Sequence, residues 1–197
     1  PTPMDQNGKA DLSIVEEVVS SLSKHPDRPD DQVLVVKSTV VPGTMENLSN
    51  KYKKENFVFN PEFLTERNAR LDFINTARIV LGGECEKSLS KTEKVYRSRF
   101  PYTKILKTDF ATAQLIKYMA NCFFATKVSF MNEMYQICQK IEGDWDSAVA
   151  GFILDGRVGN SHIDVPGHDG DLGFGGKCFP KDLNAMISRA QDLGCLL

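Results

Sequence analysis

The chain has 197 residues, of which 41% are apolar and 25% charged, with a formal net charge of −2. That length and apolar content support one large domain or two small ones with a packed core. The near-neutral balance gives no argument for nucleic acid or an acidic membrane surface as partner, and no apolar run approaches the roughly 20 residues that span a bilayer. Five cysteines, at 85, 122, 138, 178 and 195, form no Cys-x-x-Cys pair. This pattern predicts a reducing, cytoplasmic setting with neither a disulfide framework nor a metal site. Nothing at the N-terminus reads as a signal peptide.

Pro1-Thr2-Pro3 opens without a preceding helix or strand, which reads as the middle of a domain. A helix follows, with Asp11 as candidate cap and Leu12, Val15, Val18, Val19 and Leu22 as its apolar stripe. Val33-Leu34-Val35-Val36 is a short β-branched run of the kind that forms a buried parallel strand, closed by Lys37-Ser38-Thr39. Val41-Pro42-Gly43-Thr44 turns into a helix through about Lys51, and Phe57-Val58-Phe59 is a second strand. Asn60-Pro61 predicts a short helix, with Asn as cap and Pro in the first turn, which puts Glu62 and Glu66 on one face. Ile79-Val80-Leu81 is a third strand, Glu86 to Arg97 a helix with Leu89, Val95 and Tyr96 inward, and Lys104-Ile105-Leu106 a weak fourth strand. Strands alternating with helices predict an α/β domain with a mainly parallel sheet.

The pattern changes after Thr108. One long helical signal runs from about Asp109 to Glu142, with Ile116, Met119, Ala120, Phe123, Phe124, Met131, Met134, Cys138 and Ile141 on its apolar side and Gly143 as C-cap. Helices of this length commonly bridge domains or pair across a dimer. Asp144 caps a further helix through Leu154, Asp155 to Gly176 reads as a loop, and a last helix runs to about Asp192.

Chemistry concentrates in Gly173-Phe174-Gly175-Gly176-Lys177-Cys178-Phe179-Pro180-Lys181-Asp182. Pro180 suits the first helical position, and Leu183, Met186, Ile187 and Ala190 recur at helical spacing. Cys178 then stands at or just before a helix N-terminus, where the helix dipole with Lys177 and Lys181 favours thiolate. The glycines let a bulky ligand approach the backbone. A buried structural cysteine is the alternative. Lys117 and Asn121, four apart on the long helix, can hold a developing oxyanion, or can be a solvated lysine beside a helix asparagine. Thr39 closes a strand, and Glu62 and Glu66 follow one, where α/β domains bind ligands. Asp182, four past Cys178, can relay a proton or simply meet the helix N-terminus, and Arg157 can reach a phosphate or stay in water. His162 and His168 lie between Arg157 and Cys178 and fit solvent-facing loop positions. No Gly-x-Gly-x-x-Gly follows a strand, so the phosphate-binding half of a dinucleotide fold is absent from the sequence.

The cysteine loop resembles the catalytic loop of the nucleotide-sugar dehydrogenases, the UDP-glucose 6-dehydrogenase family. Thr2-Pro3 with Gly8-Lys9-Ala10-Asp11-Leu12, Lys37-Ser38-Thr39-Val40, Asn60-Pro61-Glu62-Phe63-Leu64-Thr65-Glu66, Lys117-x-x-x-Asn121 and Arg157-x-Gly159-Asn160 are similar to family segments and follow in the family's order. The resemblance implies a partial Rossmann-like sheet over 1–107, the C-terminal half of an NAD-binding domain, and an all-α central dimerisation domain over 108–197 carrying the catalytic cysteine. It implies a four-electron oxidation of a sugar 6-hydroxyl to a carboxylate with two NAD, through a Cys178 thiohemiacetal and thioester. Lys117 and Asn121 would stabilise the oxyanion, Asp182 would assist proton transfer, and Thr39 and Glu62 would position water or relay protons. Thr2, Ser38, Glu66 and Lys181 would contact the cofactor. Glu62, Phe63, Leu64, Lys117, Asn121, Phe174 and Gly175 would line the sugar-nucleotide site, with Arg157 reaching it from the partner of a homodimer built on the long helix. UDP-glucose is the implied substrate; GDP-mannose or a UDP-N-acetylhexosamine, or a non-catalytic dimerisation remnant, are the alternatives. Departures from the pattern are the absent glycine-rich turn, the absent C-terminal nucleotide-gripping domain, Lys177 where the family has a small residue, and the Ser161–Leu172 loop. The chain alone is therefore expected to be inactive.

Overall fold

Four short strands form one sheet in the order β1-β2-β3-β4. They are β1 (Val33–Val36), β2 (Asn56–Phe59), β3 (Arg78–Gly82) and β4 (Lys104–Thr108). The computed structural model describes residues 2–5, 8–53, 56–176 and 178–197. β1 and β2 run parallel, as do β3 and β4. The two pairs meet through one antiparallel register pair, Phe59 with Gly82. Helix α1 (Ser13–Ser23) precedes β1, and α2 (Thr44–Lys51), α3 (Ala69–Ile74) and α4 (Glu86–Arg99) occupy the connections. They are followed by α5 (Phe110–Lys140), α6 (Trp145–Ile153) and α7 (Phe179–Asp192).

Period-two alternation along the strands puts an apolar cluster on each face of the sheet. Phe57 and Phe59 of β2 join Leu34, Val36 and Val80 in one apolar cluster with Val15, Met45 and Phe110. Val58 joins Ile79 and Leu81 in the other, with Leu89 and Phe100. Each such fully buried side chain contributes about 1.5–3 kcal/mol of transfer free energy.

The chain divides into two compact units. The first comprises Pro1–Tyr118 with Asn184–Leu197, and the second Met119–Leu183. The second has its own core of Met131, Ile163 and Val165, packed by Tyr135, Trp145, Val149 and Ile153.

Several expectations change. No helix starts at Asn60-Pro61; residues 60–65 are irregular and α3 begins only at Ala69. The Asn60 side chain bonds other segments instead of capping a helix turn. Glu62 and Glu66 therefore share no helical face. Val95 of α4 is exposed, so its inward-facing reading fails, and Met119 and Phe123 on the apolar side of α5, with Ile141 just beyond its end, are exposed as well. At the end of α5 the left-handed residue is Glu142 (φ 56°) rather than Gly143, whose N–H returns to the Cys138 carbonyl at 2.9 Å. Asp144 caps α6 as expected, its carboxylate accepting the Ser147 N–H. Pro1 and Lys177 lie outside the described residues.

Candidate active site

In the first unit, polar groups gather where β1 and β2 end. Thr2, 4% exposed, donates its hydroxyl to the Thr39 carbonyl at 2.7 Å, which joins two of the expected site residues. Ser38 beside it is half-buried. Glu62 sits on the irregular segment after β2, where one carboxylate oxygen accepts the Leu64 N–H at 2.7 Å. Its other oxygen lies 3.6 Å from Lys117 Nζ on α5. Lys117 is buried, and its ammonium also faces the Phe63 ring at 5.5 Å. A buried ammonium requires a nearby carboxylate or its desolvation would be prohibitive. Glu62 meets that requirement. The Arg78 guanidinium covers the other approach to Phe63, 4.0 Å from the ring centroid.

In the second unit, Asp182 is 2% exposed and holds two partners. Asn121 Nδ2 donates to one of its oxygens at 2.5 Å, and Lys181 Nζ binds the other. Cys178 stands at the residue before α7, its carbonyl accepting the Asp182 N–H at 2.9 Å, and is exposed. The helix begins at Phe179, so Pro180 is its second residue rather than its first. Cys122, one residue after Asn121, has its thiol pushed up by burial and then by the charge of Asp182.

The glycine loop before the cysteine is pinned by a residue that sequence reasoning passed over. Asn132, buried on α5, accepts the Gly173 N–H on its side-chain oxygen at 2.7 Å and returns its amide to the Val128 carbonyl. Its signal was an amide directly after the apolar Met131 of α5. Gly173 (φ 84°) and Gly176 (φ 75°) take left-handed conformations that a side chain would strain. Lys127 likewise ties the preceding loop, reaching the carbonyls of Gly159 at 2.9 Å and Ser161 at 2.7 Å. His162, read as a solvent-facing loop residue, is half-buried instead; its ring stacks on Phe124 at 4.1 Å and tilts against Phe179 at 5.6 Å. Desolvation, and then Lys127, lowers its pKa.

Arg157 is exposed and bound by Asp155 at 2.5 Å. Phe174 is half-buried, and Gly175 and Glu66 are exposed. All five cysteines are free thiols. Among the described residues no group of histidines, cysteines and acids could hold a metal, and no helix is long and apolar enough to cross a membrane.

Residues 1–100 match the NAD binding domain of the UDP-glucose/GDP-mannose dehydrogenase family, and residues 111–197 match its central domain. The UDP-glucose 6-dehydrogenase of Rickettsia bellii is 40% identical over 195 residues, covering 95% of this chain and 43% of that protein. A UDP-glucose dehydrogenase structure from Pyrobaculum islandicum superposes with a TM-score of 0.82 at 33% identity, covering 98% of this chain and 45% of that one. The GDP-mannose dehydrogenase of Pseudomonas aeruginosa gives 0.73 at 28% identity, with 98% and 46% covered. The chain thus spans less than half the length of these relatives. With both of its halves matched in order, the chain belongs to the UDP-glucose/GDP-mannose dehydrogenase family.

Proposed function

We propose that this chain carries the central catalytic segment of an NAD-dependent oxidation of UDP-glucose to UDP-glucuronate. The observation that carries the reading is an exposed thiol at a helix start, one turn before a buried carboxylate bound to an amide. The sugar 6-hydroxyl loses a hydride and a proton to become an aldehyde. The Cys178 sulfur adds to its carbonyl carbon as a thiohemiacetal, and loss of a second hydride and proton leaves a thioester. Water then cleaves the carbon–sulfur bond, releasing the carboxylate and restoring the thiol. NAD, when bound, supplies the acceptor for each hydride.

The chain's own residues take defined parts. Lys117 and Asn121 donate to the oxygen that gains charge; removing one such donor costs about 10²–10³ in rate. Asp182 takes a proton near the thiol. Glu62, paired with Lys117, relays protons or orients water with Thr39. Thr2, Ser38, Glu66 and Lys181 would hold NAD, and the Thr2–Thr39 bond supports a polar edge for it. The fit is partial, since the sequence has no glycine turn for a pyrophosphate. Phe63, Leu64, Phe174, Gly175 and Arg157 would line the nucleotide-sugar site. In the second unit, the exposed Met119, Phe123, Phe130 and Ile137 of α5 support a homodimer through that helix. The free thiols suit a reducing cytoplasm.

The test is a segment exchange. These 197 residues replace the matching part of the Rickettsia bellii enzyme, and NADH formation is followed with UDP-glucose, GDP-mannose and UDP-N-acetylhexosamines. UDP-glucose should be oxidised best, at two NADH per sugar, and C178S should abolish release of the acid. A folded chimera that oxidises none of them, or works equally well as C178S, rejects the reading. Preference for another sugar moves the assignment to that substrate.

A further inference from the structure

We infer that Asn60 is the positioning residue for Glu62, an inference that rests on the catalytic part proposed for Glu62. Glu62 lies in a stretch with no helical or sheet hydrogen bonds, so regular structure does not set where its carboxylate stands. Two residues earlier, Asn60 is 3% exposed and bonded to three different elements. Its N–H donates to the Val36 carbonyl at the end of β1 at 2.8 Å. Its side-chain amide donates to the Val80 carbonyl of β3 at 2.8 Å. Its side-chain oxygen accepts Lys37 Nζ at 2.6 Å and the Tyr96 hydroxyl of α4.

Both lone pairs of that oxygen are therefore used, and the amide is used as well. Such a buried, well-satisfied network specifies one geometry. It also does work the sheet cannot, because β2 and β3 share a single register pair, Phe59 with Gly82. Pro61 then restricts the next φ, and the chain delivers the Glu62 carboxylate to the Leu64 N–H and toward Lys117. Lys37, Asn60, Glu62 and Tyr96 all line one cavity of about 130 Å³, which Phe63 and Arg78 line as well, so the network and the carboxylate face the same space. Aspartate at position 60 would keep the acceptor for Lys37 and Tyr96 but lose the donor to Val80. Alanine would lose all three side-chain bonds.

The test reads the Leu64 amide in the 197-residue chain by NMR, since its bond to Glu62 reports where the carboxylate stands. N60D should move the Leu64 amide resonance and speed its hydrogen exchange about tenfold, with core amides such as that of Val58 slowed or speeded by much less. In an E62A background N60D should no longer move Leu64. If N60D unfolds the chain, Y96F, which removes one donor and keeps the ring, is read the same way, with a smaller change in the same direction. An unmoved Leu64, or a change matched by every core amide, overturns the inference. In the chimera described above, N60D should lower kcat about tenfold and leave the KM for NAD unchanged. An inactive chimera with the Leu64 effect intact would reject the catalytic reading and leave the positioning of Glu62 standing.

Discussion

Cys85 and Cys122 bracket the thiol chemistry of this chain, and neither is the residue proposed to react. Cys85 precedes α4, where the Ser88 hydroxyl and N–H stabilise its thiolate and lower its pKa from 9.0. Cys122 has the opposite setting: burial, and then the nearby Asp182 charge, disfavours the thiolate and raises its pKa. A lowered pKa means a larger thiolate fraction at any pH below it, and the thiolate is the nucleophile. At pH 7.5, iodoacetamide should therefore label Cys85 at least about tenfold faster than Cys122, measured by peptide mass spectrometry. As pH rises, the Cys85 rate should reach its plateau first. Equal rates would mean that the Ser88 bonds do not act on the sulfur. For Cys178 the consequence is practical. Bulk thiol titration would report Cys85 and Cys195 together with Cys178, since all three are exposed, so its reactivity has to be read site by site or in a C85S/C195S background.

Among the elements, two glycines of opposite surroundings test how tightly the pieces are packed. A Cβ on Gly82 of β3 would come within 2.5 Å of the Ala113 Cβ and 3.0 Å of the Asp109 carbonyl, so the start of α5 would have to shift. Overpacking of this kind costs about 1–3 kcal/mol, and G82A should lose that much stability in urea unfolding. Gly151, inside α6, has nothing within 4 Å of its Cβ position. G151A should stabilise by about 0.4–1 kcal/mol, because alanine restricts the unfolded chain and favours helix. A neutral G82A would show that the strand–helix approach is looser than drawn. The same local logic decides what was legible in the sequence. β1 and α2 stand where the apolar run at Val33–Val36 and the turn at Gly43 indicated, because local pattern determines them. The bond between Asn121 of α5 and Asp182 of α7 was legible only as two separate spacings. The helix expected at Asn60 failed because the Asn60 side chain bonds partners 20 to 36 residues away, which no window on the sequence reveals. Asn132 and Lys127 escaped notice for the same reason: their partners lie across a long loop.

For the whole chain, the decisive quantity is how much nucleotide affinity these 197 residues hold by themselves. Residues 1–100 match an NAD binding domain, yet the sequence contains no Gly-x-Gly-x-x-Gly to place a pyrophosphate against a helix N-terminus. What remains is polar: the Thr2 hydroxyl already spent on Thr39, the half-buried Ser38, the exposed Glu66 carboxylate, and the Lys181 ammonium already paired with Asp182. A binding constant weaker than about 1 mM is the expected result. At about 1 mM NAD such a site stabilises the fold by at most about 0.4 kcal/mol, which for a chain of this size moves Tm by no more than about 1.5 °C. Scanning calorimetry of the chain with and without NAD reads this directly, and UDP-glucose should behave alike. A shift of about 8 °C would instead require some 3 kcal/mol of linkage and a micromolar site. It would mean that Thr2, Ser38, Glu66 and Lys181 grip the cofactor without a glycine turn. The segment exchange would then be unnecessary, and turnover by the chain alone would become the experiment to run.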